Sequence, residues 1–569
     1  MNNTAHLEDL IRRGHYAQAR TRAQEMLLTS TDLRTKQIYA FALSRSGVPE
    51  AARDFLESVA RENPEDAETN GILGGIYKEL FKKNQSSTFA ILARDTYDKN
   101  FKQTRSYYTG INAATMSMMA GQARRGKELA QEVLTVLADT EEDFWQTATK
   151  AEAYLLLKER GKSEESYLKA RKLAASDWGK ISSVYNQLWL LKHYLPVPPE
   201  ALRAFSPPVV VAFVGHMLDD PQRPQPRFPA SIEPQVKAAL FNAITAINGK
   251  IGYCSLACGG DILFAEAMEE AGGELNLFLP FKQDDFIESS VKFAGEAWVE
   301  RFYRLVNKYP VTYLTQESYE DHPDLFSLQT SIIFGLSMVR SNGHHQEPNL
   351  MTVLSERDQR RKQGGTRDTV SLWPNPKTHI SINPDIFVPG LPMKAEVAGP
   401  DGKPSRSDRP VLYFVCCDLS TESKLNISLR SAMETSSLPP ILADANDTAH
   451  LIAGFKTIFS AMEFCELVNR TMVRPFQQKS IVRISLHVGP YPVQGSIIYQ
   501  SLSGQLIENL LRLHKLTAPG AIYATAIFAA VLALNKDKYA FDYIDTLQTD
   551  GIARPLDVYR VNIHASGGA

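Results

Sequence analysis

Between residues 1 and 200 apolar positions recur at three- and four-residue intervals, and Val and Ile are sparse. The segment LEDLIRRGHYAQARTRAQEML carries this spacing, which predicts helices with one buried stripe each. The pattern also repeats. Gly14 with Ala19 returns as Gly47 with Ala52, 33 residues on, and Gly126 returns as Gly161, 35 residues on. A small residue in a turn, followed by a helix with Ala on its packing face, marks a helix-turn-helix unit of about 34 residues. One such unit cannot bury its face alone, so residues 1–200 are predicted to stack into an all-α helical-repeat solenoid.

After Pro196, Pro198 and Pro199 the pattern changes. VVVAFVGH (209–216) is a continuous apolar run of the kind buried in a parallel sheet. A helix follows at 233–247, GYCSLACGGD (252–261) is a strand turning into a helix, and ELNLFLPF (274–281) is a strand. VTYLT (311–315), LMTVL (350–354) and THISI (378–382) complete the set, with LFSLQTSIIFGLSMV as a helix between them. Alternating strands and helices predict a Rossmann-like, doubly wound α/β domain over 207–388. Residues 389–410, with Pro at both ends, read as an exposed linker. A third, α+β domain is predicted over 411–565, with strands at 411–419, 449–455, 481–490, 521–525 and 541–546 and helices at 457–472 and 505–516.

Composition narrows the class. The 569 residues are 44% hydrophobic and 22% charged, with a net charge of -2. That excludes a disordered chain and a global basic field, and so argues against bulk nucleic-acid binding. Five Cys without metal-ligand spacing point to a reducing cytoplasm. The polar start MNNTAHLEDL is not a secretory signal, and no apolar run reaches about 18 residues, so no membrane span is expected.

In the middle domain the chemistry concentrates in SLACGGDILFAEAMEEAGGELNLFLP (255–280). Gly259 and Gly260 end a strand and open a helix, a turn that lets phosphate approach backbone N–H groups. Asp261 stands where an N-cap is wanted, and Gly215 and His216 face the same carboxyl edge. The same glycines equally suit tight packing, and Asp261 a simple cap. Arg223, Arg227 and the basic segment 357–368 are further candidates for contact with an anion.

Three resemblances rest on these motifs. The 34-residue unit resembles the tetratricopeptide (TPR) repeat. GILGGIYKELF (71–81), ARDTYDKNF (93–101) and YYTGINAA (107–114) resemble the TRAFs-binding-type regulatory helical domain of apoptosis signal-regulating kinases and its bacterial relatives, which implies a groove for a protein partner. The strand, S-x-A-x-G-G-D turn and A-E-A helix resemble the SLOG superfamily of nucleotide sensors, which implies a nucleotide or nucleotide-derived ligand at Gly215, His216, Ser255, Gly259, Gly260 and Asp261. The P-G-G-x-G-T sequence of that superfamily's hydrolytic branch is absent, which favours sensing over hydrolysis.

The C-terminal domain is similar to class III adenylate/guanylate cyclases in its F-x-x-x-D-x-x-x-x-S-K-L opening, its R-I-x-L-H-x-G-P strand and its T-x-P-G-x-I-Y block. The resemblance puts Asp418 and Asp447 on the positions that hold Mg or Mn, and Arg512 on the transition-state arginine. Glu508 stands where the family has Asn, and Ala443 and Ser501 occupy the base-reading positions. The implied domain is degenerate and used for dimerisation or output. An active cyclase and a non-enzymatic scaffold are the alternatives, and the family's shared sites imply a homodimer. Tyr413, Cys416 and His487 read as core.

Overall fold

The computed structural model describes residues 3–138, 143–220, 222–316, 318, 323–357, 365–388, 410–418, 442–444, 450–472, 482–492, 502–535, 538–548 and 555–563. The chain divides into two compact units, Met1–Pro207 and Pro208–Ala569.

The first unit is six helix-turn-helix pairs: α1 (Asn3–Arg12) with α2 (Tyr16–Leu27), α3 (Leu33–Arg45) with α4 (Pro49–Glu62), α5 (Ala67–Asn84) with α6 (Ser87–Thr104), α7 (Tyr107–Met119) with α8 (Ala123–Val136), α9 (Phe144–Leu156) with α10 (Arg160–Ala174), and α11 (Trp178–Leu191) with α12 (Pro199–Ala204). The turns inside the first five pairs each hold one left-handed residue, Gly14, Gly47, Gln85, Gly121 and Lys158. Five residues later stands a small buried one, Ala19, Ala52, Ala90, Gly126 and Ser163. Gly126 therefore corresponds to Ser163 and not to Gly161, correcting the repeat read from the sequence. A Cβ on Gly126 would meet Met118 Sδ at 2.7 Å, whereas Gly161 has open space. The sequence signal fails there because Lys158, not glycine, takes the left-handed turn. Helices α3, α5, α9 and α11 start on a common device: Asp32, Asp66, Asp143 and Asp177 each accept a backbone N–H three residues on, at 2.7–3.1 Å. Gly74 lies against the Tyr97 ring and Gly110 against Phe101 and Val133, so both serve close helix approach.

The second unit holds two sheets. The first comprises β1 (Val209–Gly215), β2 (Gly249–Cys254), β3 (Glu274–Leu279), β4 (Val311–Tyr313), β5 (Asn349–Val353) and β6 (His379–Ile382), all parallel, in the order β4-β3-β2-β1-β5-β6. Its helices are α13 (Glu233–Ala246), α14 (Gly260–Glu270), α15 (Gln283–Ser290), α16 (Glu296–Lys308), α17 (Pro323–Asn342) and α18 (Thr366–Val370). Strand alternation splits the core. Val211 and Phe213 join α13, α14 and α16 on one face, while Val210, Ala212 and Val214 join α17 on the other. Strand order reverses at β1, which puts a crevice at the carboxyl ends of β1 and β5.

The second sheet comprises β7 (Val411–Asp418), β8 (Leu442–Asp444), β9 (His450–Phe455), β10 (Ile484–Pro490), β11 (Ile522–Thr525), β12 (Tyr539–Leu547) and β13 (Leu556–Ile563). Its order is β12-β13-β11-β10-β7-β9-β8, antiparallel except for the β10–β11 pair. Its helices are α19 (Ile458–Met472), α20 (Gln505–Leu516) and α21 (Ala526–Ala533). Leu412, Phe414 and Cys416 pack under α20, and Val415 and Cys417 face α19 and α21.

That second face is continuous with the α17 side of the parallel sheet, so one hydrophobic core joins both sheets. Residues 389–409, the expected linker, lie outside the described residues. Helices α17 and α21 meet closely across this core. A Cβ added to Gly335 would fall on the Ala530 backbone carbonyl.

Candidate functional site

A groove of about 910 Å3 is lined by the inner helices of the first unit, α3, α5, α7, α9 and α11. Four successive inner helices each put one polar residue on its floor: Lys78, Asn112, Glu152 and Gln187. Lys78 Nζ donates to Asn112 Oδ1 at 2.8 Å and to Gln187 Oε1 at 3.2 Å. Glu152 Oε1 accepts from Gln187 Nε2 at 2.7 Å and from the Thr115 hydroxyl at 2.5 Å. Burial shapes both charges. Lys78 is half-buried at the groove, and desolvation lowers its pKa to about 8. The Glu152 carboxyl is pushed up by desolvation, against the pull of Lys78. Two groups remain open among the described residues: the third Lys78 N–H, and Glu152 Oε2, since both bonds to that carboxylate fall on Oε1. Trp145 and Tyr108, 45% and 58% exposed, also line the groove. Lys78, Tyr108 and Asn112 lie in the two motifs, 71–81 and 107–114, that the sequence ties to a partner groove, but no floor residue is singled out there as a ligand contact, and Glu152, Gln187 and Trp145 do not stand out at all. The available signal was polar side chains inside apolar inner helices at repeat spacing, such as Lys78 and Asn112, 34 apart.

The glycine turn of the parallel sheet is assembled differently from the sequence expectation. Gly215, His216, Ser255, Gly259, Gly260 and Asp261 do meet at the carboxyl ends of β1 and β2. The start of α14, however, is closed by the protein's own chain. Gly260 N donates to His216 O at 3.0 Å and Ile262 N to Ala257 O at 3.3 Å, so these amides are not presented to a phosphate. Gly215 and Gly260 pack back to back, each within about 3.1 Å of where the other's Cβ would point. Gly259, with φ of 92°, is the N-cap, and a side chain there would strike Leu218 N at 2.7 Å. Asp261 is therefore not the cap; its carboxylate reaches back to Ala257 N at 3.2 Å. Ser255 Oγ accepts from Gln329 Nε2 of α17 at 2.8 Å. Arg223 and Arg227 both pair with the buried Asp219 at 3.3 Å, which satisfies that carboxylate within the loop. Residues 358–364 of the basic segment lie outside the described residues.

Burial pushes the Asp261 carboxyl up to about 7, against the backbone N–H groups of Ala257 and Gly215 that favour its charged form. An acid with a folded pKa above its unfolded one binds protons more tightly when folded. Its contribution to stability is therefore present at low pH and is lost as pH rises from about 4 to about 7. Asp261→Asn is expected to remove this slope. The check is the wild-type-minus-variant difference in unfolding midpoint between pH 5 and pH 8, which cancels the opposing titration of the buried His487, whose pKa desolvation lowers to about 4.

In the antiparallel sheet, Asp418 ends β7. Arg483 grips it, with its backbone N and Nε each 3.0 Å from Oδ2 and Nη2 2.8 Å from Oδ1. His514 Nε2 lies 3.1 Å from the same Oδ1. These partners, His514 first and then Arg483, outweigh desolvation and hold the Asp418 carboxyl well below the usual range. The described residues do not fit a Mg or Mn ion here: the neighbours of Asp418 that could join it as ligands, His450 and His514, are imidazoles rather than oxygen donors. Glu508 is exposed in the first turn of α20, and Arg512 Nη1 reaches the Gln548 carbonyl at 3.4 Å, so neither is brought to Asp418. Asn509 is buried and pairs with Gln505 at 3.2 Å. Ala443 lies in β8 opposite Ala453. Asp447 and Ser501 lie outside the described residues. Cys416 is buried, Tyr413 packs on Phe528, and His487 is a core histidine bonded to Thr525 Oγ1 at 2.9 Å.

Among the described residues, no helix is long and apolar enough to cross a membrane. Residues 15–117 match the family described as Tetratricopeptide Repeats-Sensor. No curated protein matches the chain. Among solved structures, a thermophilic TPR protein of Thermus thermophilus is 15% identical, over 33% of this chain and 98% of its own, with a TM-score of 0.29. The human IFIT1 dimer with PPP-AAAA is 16% identical, over 34% of this chain and 46% of its own, with a TM-score of 0.27. The adenylyl cyclase CyaB from P. aeruginosa is 14% identical, over 28% of this chain and 96% of its own, with a TM-score of 0.22. The N-terminal unit is a TPR-like helical domain, a repeat type suited to protein interaction, and the matched segment contains both Lys78 and Asn112.

Proposed function

We propose that this chain is a signalling protein whose helical groove receives a nucleotide or nucleotide-derived ligand, and whose C-terminal unit relays that state without cyclising nucleotides. The observation that carries this reading is the groove floor. It offers an ammonium N–H to an anion and a carboxylate oxygen to a donor, beside two exposed aromatic rings. A nucleotide has that combination of anion, N–H donor and flat apolar face. The parallel sheet with its reversal at β1 supports a SLOG-like, Rossmann-like domain, and the β10–β7–β9 core supports a cyclase-like one. The imidazole neighbours of Asp418 support a domain that does not turn over NTP with Mg or Mn.

The test is isothermal titration of the full chain with ATP, GTP, CTP and UTP. Binding by at least one, weakened at least tenfold in Lys78→Met, is expected. Binding of equal strength in that variant removes the groove as the receiving site. The TPR-like fold favours one second reading, an acidic peptide of a partner protein on the same floor, and competition between peptide and nucleotide distinguishes the two.

A further inference from the structure

Asp418, His450 and His514 each offer a ligand atom, and these atoms all lie within 4.8 Å of one another. The topology brings them together. Asp418 and His450 are cross-strand partners on β7 and β9, and His514 projects from α20 with its ring perpendicular to that of His450 at 5.0 Å.

A chain of hydroxyls holds the His514 ring from its Nδ1 side: Ser485 Oγ lies 2.9 Å from Nδ1 and 2.8 Å from Thr517 Oγ1, and Thr517 Oγ1 donates to the Leu513 carbonyl at 2.9 Å. Nε2 is thereby aimed at Asp418 Oδ1 at 3.1 Å, a separation at which the two share a cation, either a proton or a metal ion.

We propose that this cation is a zinc-class divalent ion held by Asp418 Oδ1, His450 and His514 Nε2. The donor set, two imidazoles and one carboxylate oxygen, is one that zinc takes and that magnesium does not. The 3.1 Å separation matches the edge of about 3.3 Å between two ligands at 2.0–2.1 Å in a tetrahedral site. The Ser485–Thr517 relay orients the histidine from behind. Arg483 does not block the site. It holds Oδ2 twice and Oδ1 once, and a carboxylate oxygen has two lone pairs. Three protein ligands leave a fourth position for water or a ligand atom.

The experiment uses the full chain stripped with a chelator and then titrated with Zn2+ against a chromophoric competitor. One Zn2+ per chain is expected, with at least a tenfold loss of affinity in His450→Ala, a half-buried position that leaves the core intact, and in His514→Ala. Ser485→Ala, which removes only the orienting hydroxyl, is expected to lose roughly 10- to 100-fold. Co2+ loading should give the absorption bands of a tetrahedral nitrogen-ligated ion. Zn2+ uptake that is substoichiometric, or unchanged in His450→Ala, overturns the site and leaves a proton on Nε2 as the bridging cation. Neither result depends on whether the groove binds nucleotide.

Discussion

Gly335→Leu is expected to break the C-terminal unit as a single cooperative body. Helix α17 of the parallel sheet and α21 of the antiparallel sheet meet backbone to backbone, and a Cβ at Gly335 lands on the Ala530 carbonyl. The obstruction is main chain, so no rotamer change relieves it; the two helices must separate. Separation opens the core shared by both sheets, including Phe334 and Trp373, whose rings meet edge to face at 5.1 Å. Overpacking of this kind costs about 3 kcal/mol or more, because neither side can yield locally. Gly335→Ala should lose less, and both should speed amide hydrogen exchange in α17 and α21 together. Calorimetric unfolding of the full chain is the check. A variant that unfolds at the wild-type midpoint would mean that the two sheets are not joined through this contact.

The second large effect lies in the groove. Lys78→Met removes the cation nearest Glu152 and leaves a buried carboxylate with only Thr115 and Gln187 as donors. Glu152→Met leaves the Lys78 ammonium in a desolvated floor with two neutral acceptors. Each single variant is expected to lose about 1–3 kcal/mol, since each strands a charge or a polar group. The double variant should recover most of that loss, because apolar side chains need no partner in the interior. All three should lose ligand. A pair that stabilised nothing on balance yet was needed for binding would be a functional element.

The pH dependence separates the two charges. The folded pKa of Lys78, about 8, lies below its model-peptide value of 10.5, so the unfolded chain binds the proton more tightly. Stability should rise with pH between about 8 and 10.5, and Lys78→Met should abolish that rise. A rise of equal size in the variant would place the titrating group elsewhere.

The strands and helices of both sheets are largely legible because long apolar runs such as VVVAFVGH and alternations such as VLYFVCCD depend on local pattern alone. β8 and β13 are the strands missed: Leu442–Asp444 is too short to show a pattern, and LDVYRVNI alternates yet lies beyond 541–546, the last strand expected. The repeat frame is misread at one point because backbone conformation, not residue type, carries the period: Gln85 and Lys158 take the turn that Gly14, Gly47 and Gly121 take elsewhere. The site is less legible still. S-x-A-x-G-G-D reads as an open phosphate turn, and only the fold shows His216 O occupying the Gly260 amide. Asp418 is visible as a lone carboxylate, but His450 on β9, His514 on α20 and Arg483 just before β10 gather around it, and sequence distance hides that meeting. The Lys78–Gln187 contact spans 109 residues and joins helices α5 and α11, three repeats apart.

The central claim, that the helical groove is the receiving site, is tested most directly by amide hydrogen–deuterium exchange of the full chain with and without saturating ATP, GTP, CTP or UTP. The account predicts slowed exchange in the groove-facing helices α5, α7, α9 and α11 with at least one of them, and unchanged exchange over residues 215–217 and 257–262. Slowed exchange confined to the β1–α14 turn, with the groove helices unaffected, would contradict it and return the ligand to the parallel sheet.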